Sequence, residues 1–140
     1  MRVVLVQTGR LRDAAIAELV AEYVKRFRRF GQLTVVEREP KGDTPLWPSS
    51  ARWKVALDER GRTWDSPAFA KQLQDWTMRH GEVAFLVGAA YGHHAPSLAS
   101  ADATWSLSPL VFPHQVAHLL VAEQCYRAAT ILAGTGYHHG

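Results

Sequence analysis

Cysteine is almost missing from this chain: Cys125 stands alone in 140 residues. A single thiol excludes an intramolecular disulfide framework and every zinc site built on paired cysteines. Long apolar runs are missing too. None reaches the roughly 18 residues a membrane-spanning helix needs, so no membrane partner is expected. The start, MRVVLVQTGR, has neither the apolar region nor the small-residue cleavage site of a secretory signal, and the expected compartment is the cytoplasm. There is no GxGxxG and no GxxxxGK(S/T), which argues against a redox dinucleotide or a nucleoside triphosphate. No internal repeat, low-complexity tract or long linker divides the chain. One domain over residues 1–140 is expected.

What is present is an ordinary globular composition, 47% hydrophobic and 21% charged, with an uneven charge distribution. Residues 1–41 hold nine Lys/Arg against five Asp/Glu, whereas the remainder holds seven against eight. All seven histidines lie in the second part. A basic amino-terminal part suits a polyanion such as nucleic acid, and equally a plain solubilising surface. Within it, Lys25-Arg26-Phe27-Arg28-Arg29 reads either as cations satisfying a helix carboxyl end or as a phosphate-contacting patch.

Apolar patterning alternates between short β-branched runs and helical stripes. Arg2–Gln7, Leu33–Glu37, Arg52–Asp58, Val83–Val87 and Thr104–Ser108 read as strands. Asp13 is placed to cap a helix whose stripe runs from Ile16 to Phe30, with Gly31 as its left-handed end. Ser66 followed by Pro67 opens a second helix after a turn at Glu59–Asp65, and Gly81 closes it. Pro40–Ser50 is a loop, Ala95–Asp102 contains a short helix, and His114–Ala133 is a long one ending at Gly134. The pattern predicts an α/β fold, a mostly parallel sheet of five or six strands with both faces covered. The last helix is apolar around nearly its whole circumference. One small sheet covers only one side, so a second subunit is expected on the other.

In open parallel sheets, ligands bind beyond the strands' carboxyl ends. Leu57-Asp58, the loop Gly88-Ala89-Ala90-Tyr91-Gly92, and the run Ser108 to Pro113 occupy such ends. The two glycines read either as ligand-approach positions or as ordinary turn residues. His93-His94, His114, His118 and His138-His139 form a second cluster. His114 and His118 are four apart on one helix, as in HExxH, but the intervening Gln-Val-Ala lacks the glutamate base, and no metal site is expected. Glu123 and Arg127, also four apart, read as a helix ion pair or as positioned polar groups of a site. Cys125 reads as packing.

WSLSPLVFPHQVAHLLVAEQCYRA followed by GYHH, together with FLVGAAYG, ALDERGRTWDSPAFA and RVVLVQTGR, resembles the RlmH family of ribosomal RNA methyltransferases. That family belongs to the SPOUT class of knotted enzymes, and the resemblance covers essentially the whole chain. It implies an α/β knot, S-adenosylmethionine as methyl donor, a homodimer, and methylation at N3 of a pseudouridine in 23S large-subunit ribosomal RNA of the ribosome. It also implies a cofactor slot of Leu57, Gly88, Ala89, Ser108, Pro109, Leu110, Val111, Phe112 and Pro113. The substrate side would hold Glu123, Tyr126, Arg127, Tyr137 and His138, with Glu123, His114 and His138 as unranked candidates for the base. The chain departs from the family at three positions. Ala89 replaces the second of two paired glycines, His118 stands where arginine is common, and His139 where a basic residue is common. The Pro40–Ser50 loop is also short for the family. These changes read as positive charge removed from the RNA side. Two other classes remain open: a catalytically silent RNA-binding α/β domain, and a histidine-based metal hydrolase.

Overall fold

Four consecutive buried residues, Val3 to Val6, leave β1 (Arg2–Thr8) without a solvent face. Such a strand fits only the interior of a sheet covered on both sides. In the computed structural model, which describes every residue except Tyr91 of the Gly88–Gly92 loop, β1 lies between β2 (Gln32–Arg38) and β4 (Val83–Val87). Beyond β4 come β3 (Trp53–Arg62) and β5 (Ala103–Trp105). Among the described residues, all four strand pairings in this five-stranded sheet are parallel.

Chirality then distributes the connections. Helix α1 (Ala14–Phe27) joins β1 to β2, and α2 (Ser66–His80) joins β3 to β4; both step one position in the same direction. Right-handed crossovers therefore put both helices on one face. Helix α4 (His114–Ala133) packs between them, over β1 and β4. This face buries Leu5, Phe27, Phe69, Phe85 and Val121. The connections β2–β3 and β4–β5 step the other way and cover the opposite face, where Val4, Val6, Ala84 and Leu86 pack beneath Leu46, Trp47 and Ala51. That cover is an irregular strap, residues 39–52, pinned to the single-turn α3 (Ala95–Ala99).

Several boundaries differ from the sequence reading, each for a local reason. Asp13 caps α1 as expected, accepting from the Ile16 N–H at 3.1 Å, but the helix stops at Phe27. Gly31 is no cap: a Cβ there would lie 1.9 Å from the Met1 carbonyl oxygen, so glycine permits the close approach of the two strand starts. The cap of α2 is Asp65, whose carboxylate accepts from the Ala68 N–H at 2.8 Å. Ser66 lies inside that helix and donates to Gln124 of α4 at 2.8 Å. Strand β3 absorbs most of the expected Glu59–Asp65 turn, continuing to Arg62 through a register irregularity opposite Trp105. β5 ends at Trp105 rather than Ser108.

The flanking helices also supply cover that the sequence reading assigned to a second subunit. Val121, Ala122, Cys125, Ala128 and Ala129 are buried within one chain, and burial pushes the Cys125 thiol pKa up, as befits a packing residue. Val116 and Leu120 stay half-buried outside the core cluster, as the outer row of α4.

His118 is fully buried under α4, above the sheet edge where strand alternation also brings Gln7 and Glu37 to the helix face. Neither of its ring nitrogens has a hydrogen-bond partner among the described residues. Burial lowers its pKa to about 4, against a smaller opposing pull from Glu37. The folded chain thus holds this imidazole neutral at pH values where the unfolded chain protonates it. The resulting stability is intact above about pH 6.5 and is lost as pH falls toward 4, on the order of 3 kcal/mol in all. Urea unfolding at pH 7 and pH 4.5 should show a smaller acid loss in His118→Leu than in wild type. Parallel losses would clear the imidazole of responsibility.

Candidate active site

The carboxyl ends of β3, β4 and β5 converge on one edge of the sheet, and there an open cleft of about 1010 Å³ lies. Its walls are the irregular segment Leu57–Arg60, the loop after β4, and the run between β5 and α4. Leu57, Gly88, Ala89, Ser108, Leu110, Val111, Phe112 and Pro113 all line it, and Pro109 does not. His114, at the first turn of α4, lines it as well.

Each wall is shaped locally. The loop after β4 is closed by reciprocal bonds, Ala89 N–H to Gly92 O at 3.2 Å and Gly92 N–H to Ala89 O at 3.0 Å. A Cβ at Gly88 would stand 3.2 Å from the Gly92 carbonyl and 3.2 Å from His93 Nδ1, so this turn closes tightly only over glycine. On the third wall, the Ser108 hydroxyl accepts from the Leu110 N–H at 3.0 Å, which turns Leu110 and Val111 outward as an exposed apolar lip. At the first wall, the Arg60 backbone N–H holds the Asp58 carboxyl below the usual carboxylate range, with the Arg60 guanidinium adding to it.

A second cluster forms on the carboxyl-terminal half of α4. Arg127 donates to Glu123 at 2.7 Å, and its guanidinium also reaches His138 Nδ1 at 3.0 Å. Because arginine only donates, His138 presents a lone pair at Nδ1. The same guanidinium lies 4.8 Å from the Tyr137 ring centroid, and Tyr137 packs edge-on against Tyr126 at 4.8 Å. Tyr23 of α1, which the sequence reading missed, packs at a tilt against Tyr126, ring centroids 5.7 Å apart, and its hydroxyl contributes to the raised Tyr137 pKa. The chain's tail is therefore fastened onto α4 and α1. Of the two readings of Glu123–Arg127, the helix ion pair is present, and the same guanidinium also meets the tail.

A family model described as "Predicted SPOUT methyltransferase" matches residues 1–138. The chain belongs to this family. Among its relatives, the ribosomal RNA large subunit methyltransferase H of Alkalilimnicola ehrlichii is 39% identical over 99% of both chains. The protein of the same name from Sorangium cellulosum is 38% identical over 99% of this chain and 100% of its own. That from Dinoroseobacter shibae is 40% identical over 99% of both. A probable methylase family protein from Haemophilus influenzae superposes with a TM-score of 0.57 over 99% of this chain and 70% of its own, at 13% identity, and shares the fold.

Membership in the SPOUT methyltransferases decides the class between an enzyme of group transfer and a histidine hydrolase. Of the two helix histidines, His118 is buried beneath α4 and His114 lines the cleft. The expected catalytic residues divide between the two places: His114 stands in the cleft, whereas Glu123, Arg127, Tyr137 and His138 form the tail cluster. Burial, then the Tyr23 hydrogen bond, raises the Tyr137 pKa to about 12, which excludes its phenolate as a base near neutral pH. In an alkaline absorbance titration, Tyr137→Phe should lose a phenol that ionises at about 12. Loss of one ionising near the ordinary value of about 10 would mean that the tail is not packed this way.

Proposed function

We propose that this SPOUT methyltransferase uses S-adenosylmethionine to methylate N3 of a pseudouridine in large-subunit ribosomal RNA, acting in the cytoplasm as a homodimer. The observation carrying the reading is the strand-end cleft itself. Its lining is more apolar than polar, and among the described residues its one guanidinium, Arg60, is tied to Asp58. Such a lining suits a nucleoside and a methionyl group and offers no phosphate cradle. Leu57, Gly88, Ala89, Ser108, Phe112 and Pro113 would hold the donor, with Leu110 and Val111 as its lip.

When bound, S-adenosylmethionine supplies a methyl group on a sulfonium that departs as a neutral thioether. The chain's own contribution is then chiefly positioning. The acceptor imide must also lose its proton to a group within hydrogen-bond reach. Tyr137 stays protonated, and Glu123 accepts a proton only by weakening its bond to Arg127. His138 gives its Nδ1 lone pair to Arg127, leaving His114 as the candidate already inside the cleft. Tyr137 offers a face for stacking on an exposed base.

The homodimer follows from a mismatch of lengths. His114 and Arg127 are thirteen residues apart on α4, roughly 20 Å along its axis, beyond the reach of a methyl transfer. A second copy placing its tail cluster over this cleft joins the two halves, and the half-buried outer row of α4 is the surface available to it. The basic end of α1 supports an RNA partner: Arg29 lies over the Phe30 ring, Arg26 is paired with Glu22, and Lys25 and Arg28 add further positive charge.

Calorimetry should show S-adenosylmethionine binding to wild type and none to Gly88→Val. Equal affinities would move the donor elsewhere. Removing residues from Tyr137 onward should leave donor binding nearly intact and greatly slow single-turnover transfer to unmodified ribosomes. Co-expressing Gly88→Val with the truncated chain then tests the shared site. Heterodimers carry one intact cleft facing one intact tail, so a substantial fraction of transfer should return. Two inactive proteins that stay inactive together would place both halves of the site in one chain.

A further inference from the structure

The neighbouring histidines after the β4 loop point in opposite directions. His93 Nε2 bonds the carbonyl oxygen of Leu57, one residue past the last β3 residue paired with β4. A carbonyl only accepts, so this nitrogen carries the proton and Nδ1 keeps the lone pair. That Nδ1 is buried against Gly88, with no hydrogen-bond partner among the described residues. His94 faces the strap on the other side of the sheet. Its Nε2 bonds Gly42 O at 2.7 Å, and its Nδ1 bonds the Ser97 hydroxyl at 2.9 Å. The Ser97 oxygen in turn accepts from the Leu46 N–H at 2.8 Å.

We infer that His93 is a positioning residue of the methyl donor's slot: it locks the loop after β4 to Leu57 of β3, so that two walls of the cleft stand at a fixed separation before the donor enters. Leu57, Gly88 and His93 all line that cleft, and no other hydrogen bond among the described residues joins Leu57 O to this loop. Among the described residues the loop is otherwise closed on itself, through Ala89 and Gly92. Without the imidazole, the donor would have to order the two walls as it binds, a cost taken directly from affinity. His94 instead bonds Gly42 and Ser97, neither of which lines the cleft, so it is the control within the same dipeptide.

The inference rests on the donor reading of the cleft, and the test separates the two. Calorimetric affinity for S-adenosylmethionine is measured for wild type, His93→Leu, His93→Gln and His94→Leu, beside thermal unfolding of each. A glutamine amide places an N–H near the position of Nε2 and can still donate to Leu57 O. His93→Leu should bind about tenfold more weakly while His93→Gln stays within about threefold, the difference of one hydrogen bond. In turnover, His93→Leu should raise the KM for the donor and leave kcat at saturation and the KM for ribosomes nearly unchanged. His94→Leu should lower the unfolding temperature without altering donor affinity. Wild-type affinity in His93→Leu overturns the inference. So does a glutamine variant as weak as leucine, or an equal loss in His94→Leu, since either reduces His93 to general loop packing. Failure of wild type to bind the donor overturns the donor reading itself, and the inference with it.

Discussion

Parallel pairing at a common register governs everything else in this fold. Val3, Val83 and Trp53 stand side by side across β1, β4 and β3, so these strands begin together and release their loops at the same edge. Once that edge is set, chirality fixes the rest. Both helical crossovers fall on one face, and the remaining two connections have only the other face to occupy. Helix α4 enters last and takes the groove between α1 and α2. The cleft is the space between loops that parallel pairing has already brought together.

Helix α4 turns this arrangement into a two-ended device. Its first turn closes the cleft with His114, and its later turns carry Glu123, Tyr126 and Arg127, onto which the tail folds. Arg127 is the pivot of that second end, meeting a carboxylate, an imidazole nitrogen and an aromatic face at once. Glu123 raises its pKa, so the charge that organises the tail is secure across the physiological range. A rigid helix holds the two ends apart, and this separation is the ground on which the homodimer is proposed.

The legible parts of the molecule were those written in local periodicity. The bounds of β4 and α4 come straight from an unbroken apolar run and from a long stripe ending at glycine. The strand-end rule led to Leu57, Gly88 and the run after Ser108 without any view of the fold. Non-local chemistry was not legible. Asp65 outcompetes Ser66 as a cap because Ser66 has a partner on α4, 58 positions away. The turn expected at Glu59 gives way because β5 supplies hydrogen bonds that extend β3. Tyr23 joins the tail cluster through packing of α1 on α4, and His93 joins the cleft wall through a carbonyl 36 positions earlier. The knot, too, has no signature in spacing and enters through family resemblance alone.

The departures from the family pattern take on different weights once placed in the fold. Ala89 has no positive φ, so the turn over Gly88 asks nothing of it that alanine cannot supply. His118 is buried between α4 and the sheet, so its difference from arginine removes no charge from any surface an RNA could touch. The sequence reading that counted it as lost substrate affinity is therefore corrected: the consequence falls on acid stability. Of the three positions only His139 is exposed, beside the tail residues fastened to Arg127. Any change in the hold on RNA that these substitutions produce thus reduces to one imidazole in place of one fixed cation, at the end of the chain where the acceptor is expected.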